Sequence, residues 1–404
     1  MFKPQTTSFA MLETMHKIKP NDKIKLIFDS VDFSFIEPLV ADKYSRYGRK
    51  PFNPVCMFKA LLLIYLGEAK SIRDLAEKLT YNTRLMFLCG FEYDDTPANN
   101  TFSDFQKRLS SKLFFEILHR IISQAIAAGI VCGKITALDS THIIAFSNPF
   151  GKKVENKRIY SDIDARWGVK DKEFKFFGYK LHLLVDTKTD IPIGIEITPG
   201  NADDGKRLPR IVEQAKIKHP EIEIEKLIAD KGYPYNENFV YLNKEGIEAY
   251  IPHRDKRKNP IVSGKVIIDK QNRFYCAMGK QELVYYGYNK KRNRIKLRCP
   301  VGLGKGECLF FSQCSKSSYG RSFYISVNER LQVIGIKEKY DKEFKKIYKE
   351  RSSVERCNSE LKRWHKLNKV FVRGIEKVKQ HVILSITAMV MKKMWNLKAE
   401  LGYA

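Results

Sequence analysis

Tyr348, Arg351, Glu355 and Lys362 stand at offsets 0, 3, 7 and 14 along the segment YKERSSVERCNSELK. At about 100° per helical residue the four fall within a sector of roughly 60°. A carboxylate that shares one helical face with an arginine, a lysine and a tyrosine is better suited to anion and phosphoryl chemistry than a merely solvated charge face would be. Ile347, Val354 and Leu361 form an apolar stripe roughly 100° round the same helix. Burial of that stripe would hold the polar face beside a cleft.

One carboxylate cannot hold divalent ions for phosphoryl transfer. Such sites gather several oxygens on rigid elements, commonly around two metals about 3.5 to 4 Å apart. Two further acids qualify by position: Asp139 ends the apolar strand ITALD, and Asp230 ends KLIAD just before the turn KGYP. Carboxylates at strand ends face the open edge of an α/β sheet, where ligands bind. An aspartate on a first strand, another on a strand after a helix and a glutamate on a late helix make up the arrangement of a ribonuclease-H-like two-metal site. His142, Lys180 and His182 lie near the same edge and read as structural hydrogen-bonders. Asp186, at the hairpin tip TKTD, reads as a turn former, while Asp203 and Asp204 compete as ligands.

The elements that would position these groups follow from periodicity. From Pro54 to about Ala128 the pattern is helical: PVCMFKALLLIYLG, a break at Gly67, SIRDLAEKL with a capping-box-like start at Ser71 and Asp74, a loop through TPANNTFSDF, then a long apolar helix ending at Gly129 and Gly133. The first two helices resemble a helix-turn-helix, although such pairs are commonly plain packing units. Beyond Gly133 come KITALDSTHIIAF, a hairpin of GYKLHLLVDT and IPIGIEITPG, a helix, the strand EKLIAD and another helix, an α/β order. Residues from about 245 to 335 hold short strands such as KVIID, RFYCAM, ELVYYGY and RIKLRC, a β-rich insertion. A helix from about Asp341 to about Leu367 and a final apolar helix close the chain.

The chain has 404 residues, 43% hydrophobic, which excludes a disordered tail, and a net charge of +27. The charge predicts a polyanionic partner, nucleic acid first. Residues 1–130 carry 18 basic and 14 acidic side chains, whereas 251–300 alone carry 14 and 3. Within the insertion, Arg254, Lys256, Arg257, Lys258, Lys290, Lys291 and Arg292 interleave with Phe274, Tyr285, Tyr286 and Tyr288. That pattern suits a phosphate backbone with stacked bases, or else a β-rich insert whose aromatics are its core. No secretory h-region and no uncharged apolar run of membrane-spanning length occurs, so no membrane partner and a cytoplasmic, nucleoid-associated location are expected. Cys276, Cys299, Cys308 and Cys314 fall within 39 residues without a C-x2-C knuckle, leaving both reduced thiols and a Zn²⁺ site open.

The sequence resembles the DDE transposases of bacterial insertion sequences. Their Y-x2-R-x3-E-x6-K signature is matched at every spacing by Tyr348, Arg351, Glu355 and Lys362, and ALDSTHI and LIADKGYP are similar to the segments around the family's two aspartates. GYKLHLLVDTKTDIPIG and ITPGNADDGKRLPRIV also look like the family's intervening segments, and PFNPVCMFKALLLIYLGEAKSIRDLAEKL is similar to its helical N-terminal domain. The resemblance covers roughly residues 45–385. It implies an all-α DNA-binding domain over 1–130 and a ribonuclease-H-like catalytic domain over 131–404 interrupted by the insertion. It implies that Asp139, Asp230 and Glu355 hold Mg²⁺, with Mn²⁺ able to substitute, and that Tyr348, Arg351, Lys362 and Lys366 meet DNA. The implied reaction is metal-dependent cleavage at the element's terminal inverted repeats and strand transfer into target DNA by a homodimer in a synaptic complex. The competing readings are a DNA-binding protein without catalysis and a nuclease without strand transfer.

Overall fold

A computed structural model describes residues 2–3, 8–45, 47–155, 157–170, 173–252, 261–262, 265–269, 273–326 and 342–400. Seven helices come first: α1 (Phe9–Lys17), α2 (Lys23–Asp29), α3 (Ile36–Val40), α4 (Pro54–Tyr65), α5 (Ile72–Tyr81), α6 (Thr83–Cys89) and α7 (Asn99–Ala127). Side-chain oxygens of Ser8, Asp22, Asn53, Ser71 and Asn82 accept first-turn N–H groups, and Pro54 opens α4 where no N–H is needed. The helix-break-helix of α4 and α5 is a packing unit here: α4 is buried from Ala60 to Tyr65 and touches α3, α5, α6 and α7. α7 begins at Asn99, inside the expected loop. Phe102 and Phe105 are buried in its first turns, and that burial outweighs the turn preference of the asparagines. It kinks at Ser110, whose φ is 56°.

The central sheet contains β1 (Ile135–Ile144), β4 (Arg166–Val169), β5 (Lys175–Asp186), β6 (Pro192–Pro199), β7 (Lys226–Ala229) and β8 (Glu248–Tyr250), with a separate hairpin of β2 (Lys152–Val154) and β3 (Lys157–Ile159). The order is β6-β5-β1-β7-β8, with β4 sharing the outer edge of β5. β1 pairs antiparallel with β5 and parallel with β7, and β7 is parallel to β8. Parallel neighbours require crossovers, which α8 (Leu208–Lys218) and α9 (Asn236–Lys244) supply. β8 belongs to this sheet although it lies just past residue 245.

The insertion folds as two antiparallel sheets, β9 (Ile261–Val262), β10 (Val266–Ile268) and β11 (Phe274–Cys276), then β12 (Val284–Asn289), β13 (Arg294–Arg298) and β14 (Ser322–Ser326), with the one-turn helix α10 (Phe311–Cys314) before β14. The single late helix expected from the sequence is two, α11 (Lys342–Tyr348) and α12 (Ser352–Trp364), joined by the 3₁₀ turn Lys349–Arg351. Thr187 Oγ1 donates to Glu350 Oε2 at 2.8 Å and holds that turn. The last helix, α13 (Ile375–Glu400), is buried over most of its length and packs on α2, α4, α7 and α12. One hydrophobic core therefore runs continuously from Met11 to Met394, across the change from helical to sheet-bearing sequence. No helix among the described residues is long and apolar enough to cross a membrane.

Gly178 allows β5 to approach β1 at the end of their pairing, where a Cβ would lie 2.0 Å from the Ile143 carbonyl oxygen. Backbone cannot yield as a flexible side chain can. Gly178→Ala should therefore destabilise the protein by about 3 kcal/mol, read as a lowered urea midpoint. An unchanged midpoint would contradict the β1–β5 register.

Candidate active site

β1 and β7 run in parallel register from Ile135 opposite Lys226 to Leu138 opposite Ala229. Asp139 and Asp230 each follow the last β1–β7 pair, so they stand side by side, about 4.8 Å apart by strand spacing. Asp230 lies just past the end of β7, whereas Asp139 is mid-strand: β1 does not end at ITALD as the sequence suggested but runs on to Ile144, because pairing with β5 continues past it. Asp139 Oδ1 accepts the N–H of Ser140 at 2.8 Å, and Asp230 Oδ1 that of Gly232 at 2.7 Å. The third acid arrives from the other end of the chain. α12 packs across β1 and β5, and the 3₁₀ turn before it packs on β1 and β7.

The placement of α12 follows from its two faces. Val354, Cys357 and Leu361 are buried, as is Ile347 of the preceding helix, in keeping with the apolar stripe read from the sequence. Polar bonds fix the remaining freedom. Arg356 forks onto Asp190 of the β5–β6 turn at 2.8 and 2.7 Å. Glu360 pairs with Lys393 of α13 at 3.0 Å, and although burial pushes its carboxyl up, His365 and Lys393 bring it down to about 2. At the far end His365 Nδ1 lies 3.0 Å from the Tyr65 carbonyl, and Ser385 donates to the His365 carbonyl at 2.7 Å. Tyr250, Phe344 and Tyr348 stack in series, tying α11 to β8.

Burial raises the Asp139 carboxyl to about 6. Asp230 and Glu355 push it further the same way, against the opposing pull of Ser140 N–H and Arg351. Tyr348 is raised by burial and by the same three carboxylates, opposed by Arg351, whose guanidinium lies 5.8 Å from its ring centroid. Thus Asp139, Asp230, Glu355, Tyr348 and Arg351 share one electrostatic environment. Arg351 Nη2 donates to Glu355 Oε1 at 2.5 Å. Lys362 sits a little apart, with Nζ 3.4 Å from each ring nitrogen of His142. Desolvation and then Lys170 bring Lys362 down to about 8, and desolvation and then Lys362 and Lys170 bring His142 to about 4. Partial burial beside a second cation thus weakens the hold of Lys362 on its proton while leaving it mostly cationic at neutral pH.

The other residues singled out from sequence divide plainly. Lys366 donates to the carbonyls of Ala69 and Lys70 at 2.9 and 3.0 Å, which ties the end of α12 to the N-terminal helices. Lys290, Lys291 and Arg292 are exposed in the turn between β12 and β13. Arg254, Lys256, Arg257 and Lys258 lie outside the described residues. Tyr285, Tyr286 and Tyr288 are surface residues and not the insertion's core, and the cations of Lys296 and Arg298 lie over Tyr286 at 5.0 and 4.8 Å. Asp186 accepts from Gly133 and Thr189, Asp204 from Lys180, and Asp203 from Gly205 and Tyr235. His182 Nε2 meets Thr198 Oγ1 at 2.9 Å. One residue escaped the sequence reading: Tyr233, fully buried beside the carboxylates of Asp139, Asp204 and Asp230, which with burial raise its hydroxyl far above the ordinary range. In KGYP it passes for a turn residue.

Burial and the neighbouring carboxylates of Asp230 and Glu355 together disfavour the ionised Asp139, a condition a divalent cation would relieve, and carboxylate oxygens are the ligands Mg²⁺ and Mn²⁺ take. The residues fit such an ion, with one qualification of arrangement. Glu355 is engaged by Arg351, and no three metal-ligating side chains among the described residues already surround a common point.

A sequence model described as the transposase DDE domain matches residues 131–391, and one described as a transposase domain matches residues 12–108. Among solved structures, the chain is similar to the piggyBac transposase in a synaptic complex with hairpin DNA, with 13% identity over 94% of this chain and 75% of that one and a TM-score of 0.35. It is also similar to the Mos1 transposase in a paired-end complex with the left transposon end (15% identity, 51% of this chain, 61% of that one, TM-score 0.19), and to the Mos1 mariner paired-end complex with Mn (12%, 60%, 72%, TM-score 0.17). A search of the curated proteins finds no match.

A carboxyl raised in the folded state weakens that state as it ionises, so its contribution is fullest below about 4 and is lost as pH climbs through about 6. Metal-free Asp139→Asn should therefore gain stability over the parent progressively between those values, reaching up to about 3 kcal/mol and staying level at higher pH. Urea unfolding across the range tests this. A pH-independent difference would mean that the Asp139 carboxyl is not raised in the folded protein.

Proposed function

The chain belongs to the family of transposases built on the DDE domain and is a DNA-transposing enzyme, and from that premise we propose that Asp139, Asp230 and Glu355 form its two-metal centre on a ribonuclease-H-like sheet. The reaction is cleavage at the ends of an insertion sequence and transfer of the freed 3′ end into target DNA. The observation that carries this reading is the register of β1 and β7, which sets Asp139 beside Asp230 under the helix that bears Glu355. The sheet order β6-β5-β1-β7-β8, antiparallel on one side of β1 and parallel on the other, supports the fold assignment.

Asp139, Asp230 and Glu355 would hold the divalent ions, Mg²⁺ with Mn²⁺ able to replace it. When bound, such ions lower the pKa of an attacking water or hydroxyl and stabilise a leaving oxygen. The remaining work falls to the chain's own groups. Arg351 presents a planar fork suited to phosphate, and a DNA phosphate competing for it would free Glu355 to turn toward the aspartates. Lys362, with His142 and Lys170 beside it, offers positive charge where a strand's backbone would pass. Tyr348 walls the pocket and has a hydroxyl to donate. Tyr233 packs behind the aspartate pair and excludes water from it.

In this reading residues 1–130 form the DNA-binding helical part, and residues 131–404 the catalytic part with its basic insertion. Two protomers act together on paired ends, and the protein works at the nucleoid. With labelled element-end DNA, the purified protein should nick in Mg²⁺ or Mn²⁺ and not in EDTA, and it should form a joined product when target DNA is added. Glu355→Gln should lower cleavage at least 10²-fold while DNA affinity stays within about threefold, a ΔΔG below 1 kcal/mol. Normal cleavage by Glu355→Gln sinks the site assignment. Cleavage without a joined product leaves a nuclease, and binding without any product leaves a DNA-binding protein.

A further inference from the structure

Among the described residues, the β-rich insertion has a small core of its own: its buried hydrophobic residues there are Val266, Ile268, Cys276, Leu283, Leu297, Phe323 and Ile325, a cluster separate from the main core. So little apolar burial does not ordinarily hold two three-stranded sheets, and modules of this kind are completed by disulfides or a structural metal. Disulfides are absent among the described residues, where the cysteines are free thiols. Four of these thiols nevertheless converge. Cys276 ends β11, Cys299 follows β13, Cys308 precedes α10 and Cys314 ends it, and all four line one small pocket together with Gly279 and Arg321.

The pocket is shaped around sulfur. A Cβ on Gly279 would stand 2.5 Å from Cys308 Sγ, and one on Gly320 would stand 3.3 Å from Cys299 Cβ. A side chain on Gly279 would displace Cys308, and Gly320, at a φ of 68°, packs close against Gly302, Phe311 and Cys299. We propose that Cys276, Cys299, Cys308 and Cys314 bind one structural Zn²⁺ that staples the insertion. Four thiolates in tetrahedral array, with Zn–S about 2.3 Å, are the ligand set of a closed zinc site, and soft sulfur selects zinc over the magnesium that carboxylates would hold. Each thiol gives up its proton on binding, and Arg321 offsets the excess negative charge of four thiolates around a dication. The thiols are not already set at metal-holding spacing. Binding therefore draws α10 and the β11 and β13 ends together, and its free energy becomes folding free energy of the insertion. What it steadies is β13 and its neighbour β12, the strands that carry the exposed Tyr286 with the cations of Lys296 and Arg298 over its ring.

The test uses the full chain, purified without chelator from zinc-supplemented cells and freed of loosely held metal. Metal analysis should find about one zinc per chain. The Cys308→Ser, Cys314→Ser double variant should fall to near zero, while Cys132→Ser, at an exposed thiol outside the insertion, should keep its zinc. Should the double variant not fold, Co²⁺ exchange into the parent protein decides: a tetrahedral thiolate site gives a sulfur-to-cobalt charge-transfer band. A carboxylate site gives none, so loss of this proposal and loss of the Asp139–Asp230–Glu355 assignment are separately visible. Zinc well below stoichiometry in the parent, zinc retained by the double variant, or a cobalt spectrum without thiolate character overturns it.

Discussion

Two carboxylates held one strand spacing apart repel each other, and much of the molecule keeps them there. β1 is hydrogen-bonded on both edges, antiparallel to β5 and parallel to β7, so Asp139 cannot move away without breaking a ladder, and Asp230 is held just past the end of β7 by the Gly232 N–H. The strain of like charge is expressed instead in protonation, as Asp139 is driven to about 6 by burial and by its acidic neighbours. The Ser140 N–H and Arg351 offset part of it, Arg351 while occupying Glu355. An anionic cluster of this kind is stable on its own terms only when its charge is partly neutralised, which is why it suits a reaction that brings in cations and phosphates together.

Placing Glu355 opposite the aspartates is a problem of long-range packing. The helix that carries it is anchored at Asp190 in a hairpin turn, at Lys393 on the last helix and at the Tyr65 carbonyl on an N-terminal helix. These anchors come from three regions far apart in sequence, and the last of them lies in the helical part of the chain. The continuity of the core from Met11 to Met394 ties the N-terminal helices to the helix bearing the third acid in the same way. The insertion, with its separate small core, is mechanically the most independent described part, and it presents cations and tyrosines outward.

Much of this was legible beforehand. The β5–β6 hairpin, the strand ending at Asp230, the burial of Val354 and Leu361, and most of the insertion's strands follow from alternation, turn residues and helical spacing, all local signals. Local signals failed where a distant partner decided. The helix start at Asn99 depends on burial of Phe102 and Phe105, and the 3₁₀ turn at Lys349–Arg351 is held by Thr187. Lys366, expected to meet DNA, donates to the carbonyls of Ala69 and Lys70, and Tyr233 reads as a turn residue but lies buried among three aspartates.

The sequence alone determined which residue types could do the chemistry and on which kind of element each would sit, because spacing along a strand or helix sets the face a side chain occupies. It also determined the attraction to a polyanion, since net charge is independent of fold. Tertiary structure decided which of several plausible acids stand together, that Arg351 engages Glu355, that Lys362 loses part of its affinity for a proton, and that four scattered cysteines meet. Each of these depends on distance and desolvation between residues remote in the chain, and neither quantity exists until the chain is packed.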